Sequence, residues 1–290
     1  MIVILGTSGY VGCKFSDYFN SKGIKLLGLS RKFLDYTDKD KFSKWLKDRR
    51  VDFVINAAGY TGKPNVDACE LAKTDCLEAN AVFPGMLREL FEDFKIKWGH
   101  ISSGCIYSGR KPNGEGWSEI DKPNFSFSSP PCSFYSGTKA LGEELLVGAD
   151  NCFVWRLRIP FNHETNPRNY LQKILNYKSI LDVENSISEL TEFVEKCVDC
   201  IFKDIEPGVY NLTNSGTVMT RQISQWMLEE GVTNKKFTFF ESEAEFMKKG
   251  AKTPRSSCVL DISKSRNAGI GMRPVEEAIR KSLKDMLNGT

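Results

Sequence analysis

Short, fully apolar runs recur along the chain, each followed by a stretch in which apolar residues return at helical spacing. Ile2–Leu5 is the first such run. It is rich in β-branched residues and lacks polar alternation, which predicts a parallel strand buried on both faces. Lys25–Leu29, Val51–Asn56, Trp98–Tyr107 and Cys152–Arg158 contain further strand-like runs. Between them the periodicity predicts helices to about residue 22, and over 39–50, 65–80, 82–95 and 134–148. This alternation predicts an α/β architecture, a doubly wound parallel sheet with helices on both faces.

Beyond Pro160 the pattern loosens. Asn166–Pro167 is a helix-start signal, since Asn caps and Pro suits the first turn. Further helices are predicted over 188–203, 220–230 and 275–288, and strands over Gly208–Thr213 and Lys236–Phe240. The expected organisation is a nucleotide-binding domain over 1–160. Residues 161–290 then form a small substrate-binding cap, interleaved with the last sheet strands.

Composition narrows the class. The 290 residues carry 40 basic and 37 acidic side chains, a net charge of +3, so a general nucleic-acid-binding surface is not expected. No apolar run approaches the length needed to cross a bilayer, and the first strand starts at Met1, so the expectation is a leaderless cytoplasmic protein. Nine scattered cysteines read as free thiols, and the lone Cys197/Cys200 pair inside a helical pattern predicts no metal site. With only His100 and His163 present, acid–base chemistry falls to other side chains.

Gly6-Thr7-Ser8-Gly9-Tyr10-Val11-Gly12 stands between the first strand and the first helix. Glycines there permit a tight turn and close approach of backbone amides to a pyrophosphate at a helix amino terminus. The spacing is GxxGxxG, and its context predicts a Rossmann-type dinucleotide site. The second strand ends in Ser30-Arg31-Lys32, where an NAD enzyme usually places an acidic residue. A cationic cluster suits the 2′-phosphate of NADPH. Asp35 as a ribose ligand in an NADH enzyme is the alternative.

Tyr135 and Lys139 lie four apart in a helical segment and therefore on one face. An ammonium near a phenol lowers its pKa and readies it to protonate a carbonyl oxygen as hydride arrives. Ser103, at the end of a predicted strand, can hydrogen-bond the same oxygen. Asn56-Ala57-Ala58-Gly59 ends an earlier strand, on the side where a cofactor binds.

Together these motifs resemble the extended short-chain dehydrogenases. Asn56–Glu70, Ser103–Tyr107, Ser133–Leu145, Arg158–Pro160, Asn166–Asn169 and Pro254–Asp261 look like those of the bifunctional UDP-4-keto-6-deoxyglucose 3,5-epimerase/4-reductases, the UDP-rhamnose synthases. The chain is similar, more distantly, to dTDP-4-dehydrorhamnose reductase and GDP-fucose synthase. The resemblance implies that NADPH reduces the C4 ketone of a nucleotide-linked hexose, UDP-4-keto-6-deoxyglucose, whose uridine rests on the resemblance alone; family members are often homodimers, and the oligomeric state of this chain stays open. It also implies epimerisation at C3 and C5 by a cysteine and a lysine on opposite sides of the ring, here Cys105 and Lys173. Cys105 would share a side with Ser103 if the strand stays extended, and His163 is the rival to Lys173. By the same resemblance Arg168, Asn169 and Arg255 hold the nucleotide-sugar. Two alternatives stay open: a 4-keto-reductase without epimerase activity, and a non-catalytic NADP-binding regulatory subunit.

Overall fold

The computed structural model describes residues 1–289. Six parallel strands form the central sheet: β1 (Ile2–Leu5), β2 (Leu26–Leu29), β3 (Phe53–Asn56), β4 (Lys97–Ser103), β5 (Cys152–Leu157) and β6 (Gly208–Asn211). Their order is β2-β1-β3-β4-β5-β6. Leu5 pairs with Leu29 on one side and Asn56 on the other, so the chain changes direction across the sheet at β1. In open sheets of this kind ligands bind at such a switch point, outside the carboxyl ends of the strands.

The absence of polar alternation in β1 has a direct cause. Ile2 and Ile4 face one core with Phe15, Phe19, Trp155 and Phe193, while Val3 and Leu5 face another with Phe42, Leu87, Phe91 and Trp98. Each such aromatic or aliphatic side chain contributes about 1.5–3 kcal/mol by leaving water. Helix α1 (Tyr10–Ser21) covers the first face beside Leu190–Phe202, and the helices Lys39–Lys47 and Phe83–Asp93 cover the second. Cys197 and Cys200 are buried in the first core, where desolvation pushes both thiols up. A third core, with Phe161, Leu171, Ile174, Ile223, Met227 and Ile279, joins the segments after residue 160. No helix among the described residues is long and apolar enough to cross a membrane.

Three local expectations need correction. The helix placed at Asn166–Pro167 starts at Tyr170, because Asn166 Oδ1 accepts from the Arg168 amide in a turn and Asn169 makes the cap. Lys236–Phe240 is not a strand; only Phe239 pairs, in one bridge to Ile180. The region 65–80 is split into a 3-10 turn (Val66–Glu70), a short helix (Lys73–Leu77) and a wide turn over Glu78–Val82 that runs into Phe83–Asp93. The strand within Trp98–Tyr107 ends at Ser103, as expected, and Gly104–Ile106 then coils into a 3-10 turn instead of staying extended.

Candidate active site

The glycine loop joins β1 to α1 across the switch point. Gly6 has φ +81°, and a Cβ there would stand 2.6 Å from the Ala58 nitrogen. A Cβ on Gly12 would stand 2.2 Å from the Gly6 carbonyl oxygen, so helix and turn approach closely only because both are glycine. Gly9 caps α1 without a side-chain hydrogen bond, and no acidic residue sits in the first turn. The first amides of a twelve-residue helix are thus left for an anion. Ser8 and Gly9 are exposed at this turn and Thr7 is half-buried, while Tyr10 and Val11 pack against the core. Ser30, Arg31 and Lys32 are exposed beyond β2, and neither cation has a carboxylate partner among the described residues. Asp35 is turned instead to Thr37, accepting from its hydroxyl at 2.6 Å and its amide at 3.2 Å. These residues fit a dinucleotide whose ribose carries an extra phosphate.

The second wall is built by β4 and the helix Phe134–Glu144. Ser133 caps that helix, accepting from the Ser136 amide, and Glu70 accepts from the Phe134 amide at 2.7 Å. Tyr135 and Lys139 emerge one turn apart. Lys139 Nζ donates to the Ile101 carbonyl at 3.1 Å, and a Cβ on Gly59 would lie 3.6 Å from it. The turn after β3 and the helix therefore meet at this ammonium. Burial pulls the Lys139 pKa down, opposed by the Cys105, Glu143 and Cys76 side chains. Burial also pushes the Tyr135 phenol well above its ordinary value, with the Ser103 hydroxyl drawing it the other way. The expected lowering of the phenol by lysine is thus outweighed by desolvation, and Tyr135 keeps its proton.

Cys105 belongs to the same wall, though by another route than an extended strand. The turn Gly104–Ile106 brings its amide to Ser103 Oγ at 3.3 Å. The thiol is buried, which raises its pKa, while Ser103, Ser136, Arg158 and Lys139 act against the rise.

Lys173 lies in the last turn of the short helix Tyr170–Asn176. Its ammonium makes no hydrogen bond or ion pair among the described residues. Burial, then Arg168 and Arg255, bring its pKa down to about 8. Both arginines are held by the segment that follows β3: Arg168 donates to the Gly62 carbonyl, and Arg255 pairs with Asp67 at 2.8 Å. Glu70, from the same segment, accepts from Thr253 at 2.8 Å as well as from Phe134. One stretch, 59–70, therefore ties the Tyr135 helix, Arg168 and the Thr253–Arg255 segment together. Glu70 and Asp67 were not singled out from sequence, because carboxylates that organise loops have no spacing of their own.

Three candidates change role. Asn169 is fully buried: its Oδ1 caps the helix at Leu171, and its Nδ2 donates to the Asn162 and Glu164 carbonyls, each at 2.7 Å. It holds the loop that carries Lys173 and is not presented to a ligand. Asn56 is also fully buried, its Nδ2 lying 3.0 Å from His100 Nδ1 and its Oδ1 accepting from Ala58, so it shapes the turn. His163 lines a separate crevice of ≈ 150 Å³ with Glu189, Glu192 and Arg273. Asn80 is a further residue of the site. It sits in the wide turn Glu78–Val82, bonds both backbone groups of Tyr60, and donates to Thr138 Oγ1 at 3.3 Å. An asparagine between two helical stretches was its only sequence trace.

A cleft of ≈ 530 Å³ opens beside Arg255, lined also by Ser108, Asn124, Phe125, Pro131 and Met247.

The RmlD substrate binding domain profile matches residues 1–288. The chain belongs to the RmlD substrate-binding domain family. Among RmlD-type relatives, a bifunctional dTDP-4-dehydrorhamnose 3,5-epimerase/dTDP-4-dehydrorhamnose reductase of Arabidopsis thaliana is 30% identical over 96% of this chain and 91% of its own length. A trifunctional UDP-glucose 4,6-dehydratase/UDP-4-keto-6-deoxy-D-glucose 3,5-epimerase/UDP-4-keto-L-rhamnose-reductase of the same plant is 30% identical over 96% of this chain, which spans 41% of that longer protein. The UDP-rhamnose synthase of Acanthamoeba polyphaga mimivirus shares the fold with a TM-score of 0.89 at 24% identity, covering 98% of this chain and 99% of that one. A Bacillus anthracis dTDP-4-dehydrorhamnose reductase in complex with NADP shares it with a TM-score of 0.80 at 17% identity, covering 100% and 98%. The family match runs from β1 into the last helix, so the glycine loop, the Tyr135–Lys139 helix and the Lys173 helix all fall within one RmlD-type unit.

Proposed function

We propose that this chain is an NADPH-dependent 3,5-epimerase/4-reductase that converts UDP-4-keto-6-deoxy-D-glucose to UDP-L-rhamnose. The observation that carries this reading is the convergence of Ser103, Cys105, Tyr135 and Lys139 on one wall at the switch point. The names of relatives, a bifunctional epimerase/reductase and a UDP-rhamnose synthase, support the choice of reaction. NADPH supplies hydride when bound. The nucleotide fits the cleft beside Arg255, whose guanidinium suits a diphosphate.

Protons at C3 and C5 are acidified by the C4 ketone. Lys173, with a pKa near 8, has a usable neutral fraction at pH 7 and acts as the base. Cys105, kept protonated by burial, returns a proton to the opposite face. Tyr135, also protonated, then gives its proton to the C4 oxygen, with Ser103 holding that oxygen. Purified protein incubated with NADPH and UDP-4-keto-6-deoxyglucose in D₂O should oxidise the cofactor and yield UDP-L-rhamnose with deuterium at C3 and C5. Cofactor oxidation without that label would reduce the assignment to a 4-keto-reductase, and no oxidation would remove it.

Cofactor choice has its own test. Arg31→Ala should raise the KM for NADPH by about 10- to 150-fold, the scale of one lost charged hydrogen bond of about 1.5–3 kcal/mol, with little change for NADH. Equal changes for both cofactors would mean that Arg31 does not contact the 2′-phosphate.

A further inference from the structure

We infer that Arg158 is a positioning residue for Cys105, its buried guanidinium supplying the positive charge left facing the sulfur once the thiol has given up its proton. The inference rests on the reading that Cys105 transfers a proton. Arg158 follows β5 directly and is 6% exposed, yet it has no carboxylate partner among the described residues. A buried cation without an acid is costly and calls for a compensating role. Its Nη2 donates to Asn185 Oδ1 at 2.7 Å and to the Ser256 carbonyl at 2.6 Å, and its backbone amide donates to Ser188 Oγ at 3.1 Å. Those bonds fix the head but leave Nε buried without an acceptor. The stem packs on the turn that carries Cys105: a Cβ on Gly104 would lie 3.4 Å from Arg158 Cδ. Ile159, next in the chain, is held at φ +39°, a conformation that β-branched residues rarely adopt, so the surrounding structure imposes this path.

The groups that face Cys105 are few. The Phe134–Glu144 helix brings Tyr135, Ser136 and Lys139; the loop before it brings Cys132; β4 brings Ser103. Cys258 donates to the Gly104 carbonyl at 3.2 Å. Of these only Lys139 is cationic, and it is committed to Ile101. Arg158 is the other cation, and it draws the thiol pKa down against the rise that burial imposes. In the step itself the S–H bond breaks, a C–H bond forms at the enolate carbon, and the thiolate is reprotonated by solvent.

The test reads Cys105 directly. Alkylation of the full chain by iodoacetamide, followed across pH by mass spectrometry of the Cys105 peptide, reports the thiolate without any substrate. Arg158→Met should lower the Cys105 rate at fixed pH by about tenfold, the effect of a one-unit rise in pKa, whereas Arg158→Lys should stay within about threefold of the parent. An unchanged rate in the methionine variant, or an equal fall in both, would overturn the inference. Should the methionine variant not accumulate as folded protein, the lysine variant decides alone, since a tenfold fall with the charge retained excludes a charge effect. Formation of the epimerised ketone by Cys105→Ala, followed without NADPH, separates the two levels: if the epimer still forms at the parent rate, the proton-transfer reading fails. If epimer formation is lost while Arg158→Met alkylates normally, only the role of Arg158 fails.

Discussion

Replacing Tyr135 by Phe should lower kcat for ketone reduction by about 10²- to 10⁴-fold, the usual range for a lost general acid, while NADPH affinity stays within about threefold. The substitution deletes one oxygen and keeps the ring. Lys139 remains anchored to the Ile101 carbonyl, and the glycine loop does not touch the missing hydroxyl in any contact described. The loss is therefore confined to the proton that must reach the C4 oxygen. Burial raises the phenol pKa well above its ordinary value. An acid works while protonated, so Tyr135 should impose no falling limb on the reduction rate below about pH 10, its unperturbed value. Epimerisation does not need this proton, so the variant should still wash deuterium into C3 and C5 and accumulate the epimerised ketone. A kcat within threefold of the parent, measured as NADPH oxidation under saturating substrate, would remove Tyr135 from the chemistry.

The parts of this site that could be read from sequence are those set by local rules. Gly6 and Gly12 announce a turn that tolerates no Cβ, and β1 announces itself because both of its faces are buried. Tyr135 and Lys139 share a helical face by spacing alone. What could not be read depends on partners distant in the chain. Nothing near Asp67 or Glu70 foretells Arg255 or Thr253. Asn169 illustrates a different limit: an amide that caps a helix and one that binds a ligand have the same chemistry, and only burial separates them. Asn166–Pro167 carried a sound helix-start signal, yet Asn166 spent it on a turn. Lys236–Phe240 had strand-like composition but no sheet edge to join beyond Ile180. Cys105 reached the expected wall although the chain does not stay extended beyond Ser103, because the Gly104–Ile106 turn lets it double back there.

Replacing Lys173 by Met should abolish epimerisation, lowering deuterium wash-in by about 10²- to 10⁴-fold. Reduction of ketone that is already epimerised should stay within about fivefold, since Ser103, Tyr135 and Lys139 lie on other elements. In the parent protein the pH dependence has a definite sign. Lys173 works as a base only when neutral, so wash-in should rise with pH through about 8. After burial, Arg168 and Arg255 are the causes of the low value, and removing a cation relieves the repulsion that favours the neutral amine. Arg168→Gln should therefore raise the Lys173 pKa and move the rising limb to higher pH, leaving less activity at pH 7 but a similar plateau above it. A change in plateau without displacement of the limb would show that Arg168 serves substrate binding alone. A limb unmoved even in the absence of Lys173 would assign the titrating base elsewhere, and the proton leaving C3 and C5 would need another acceptor in this cleft.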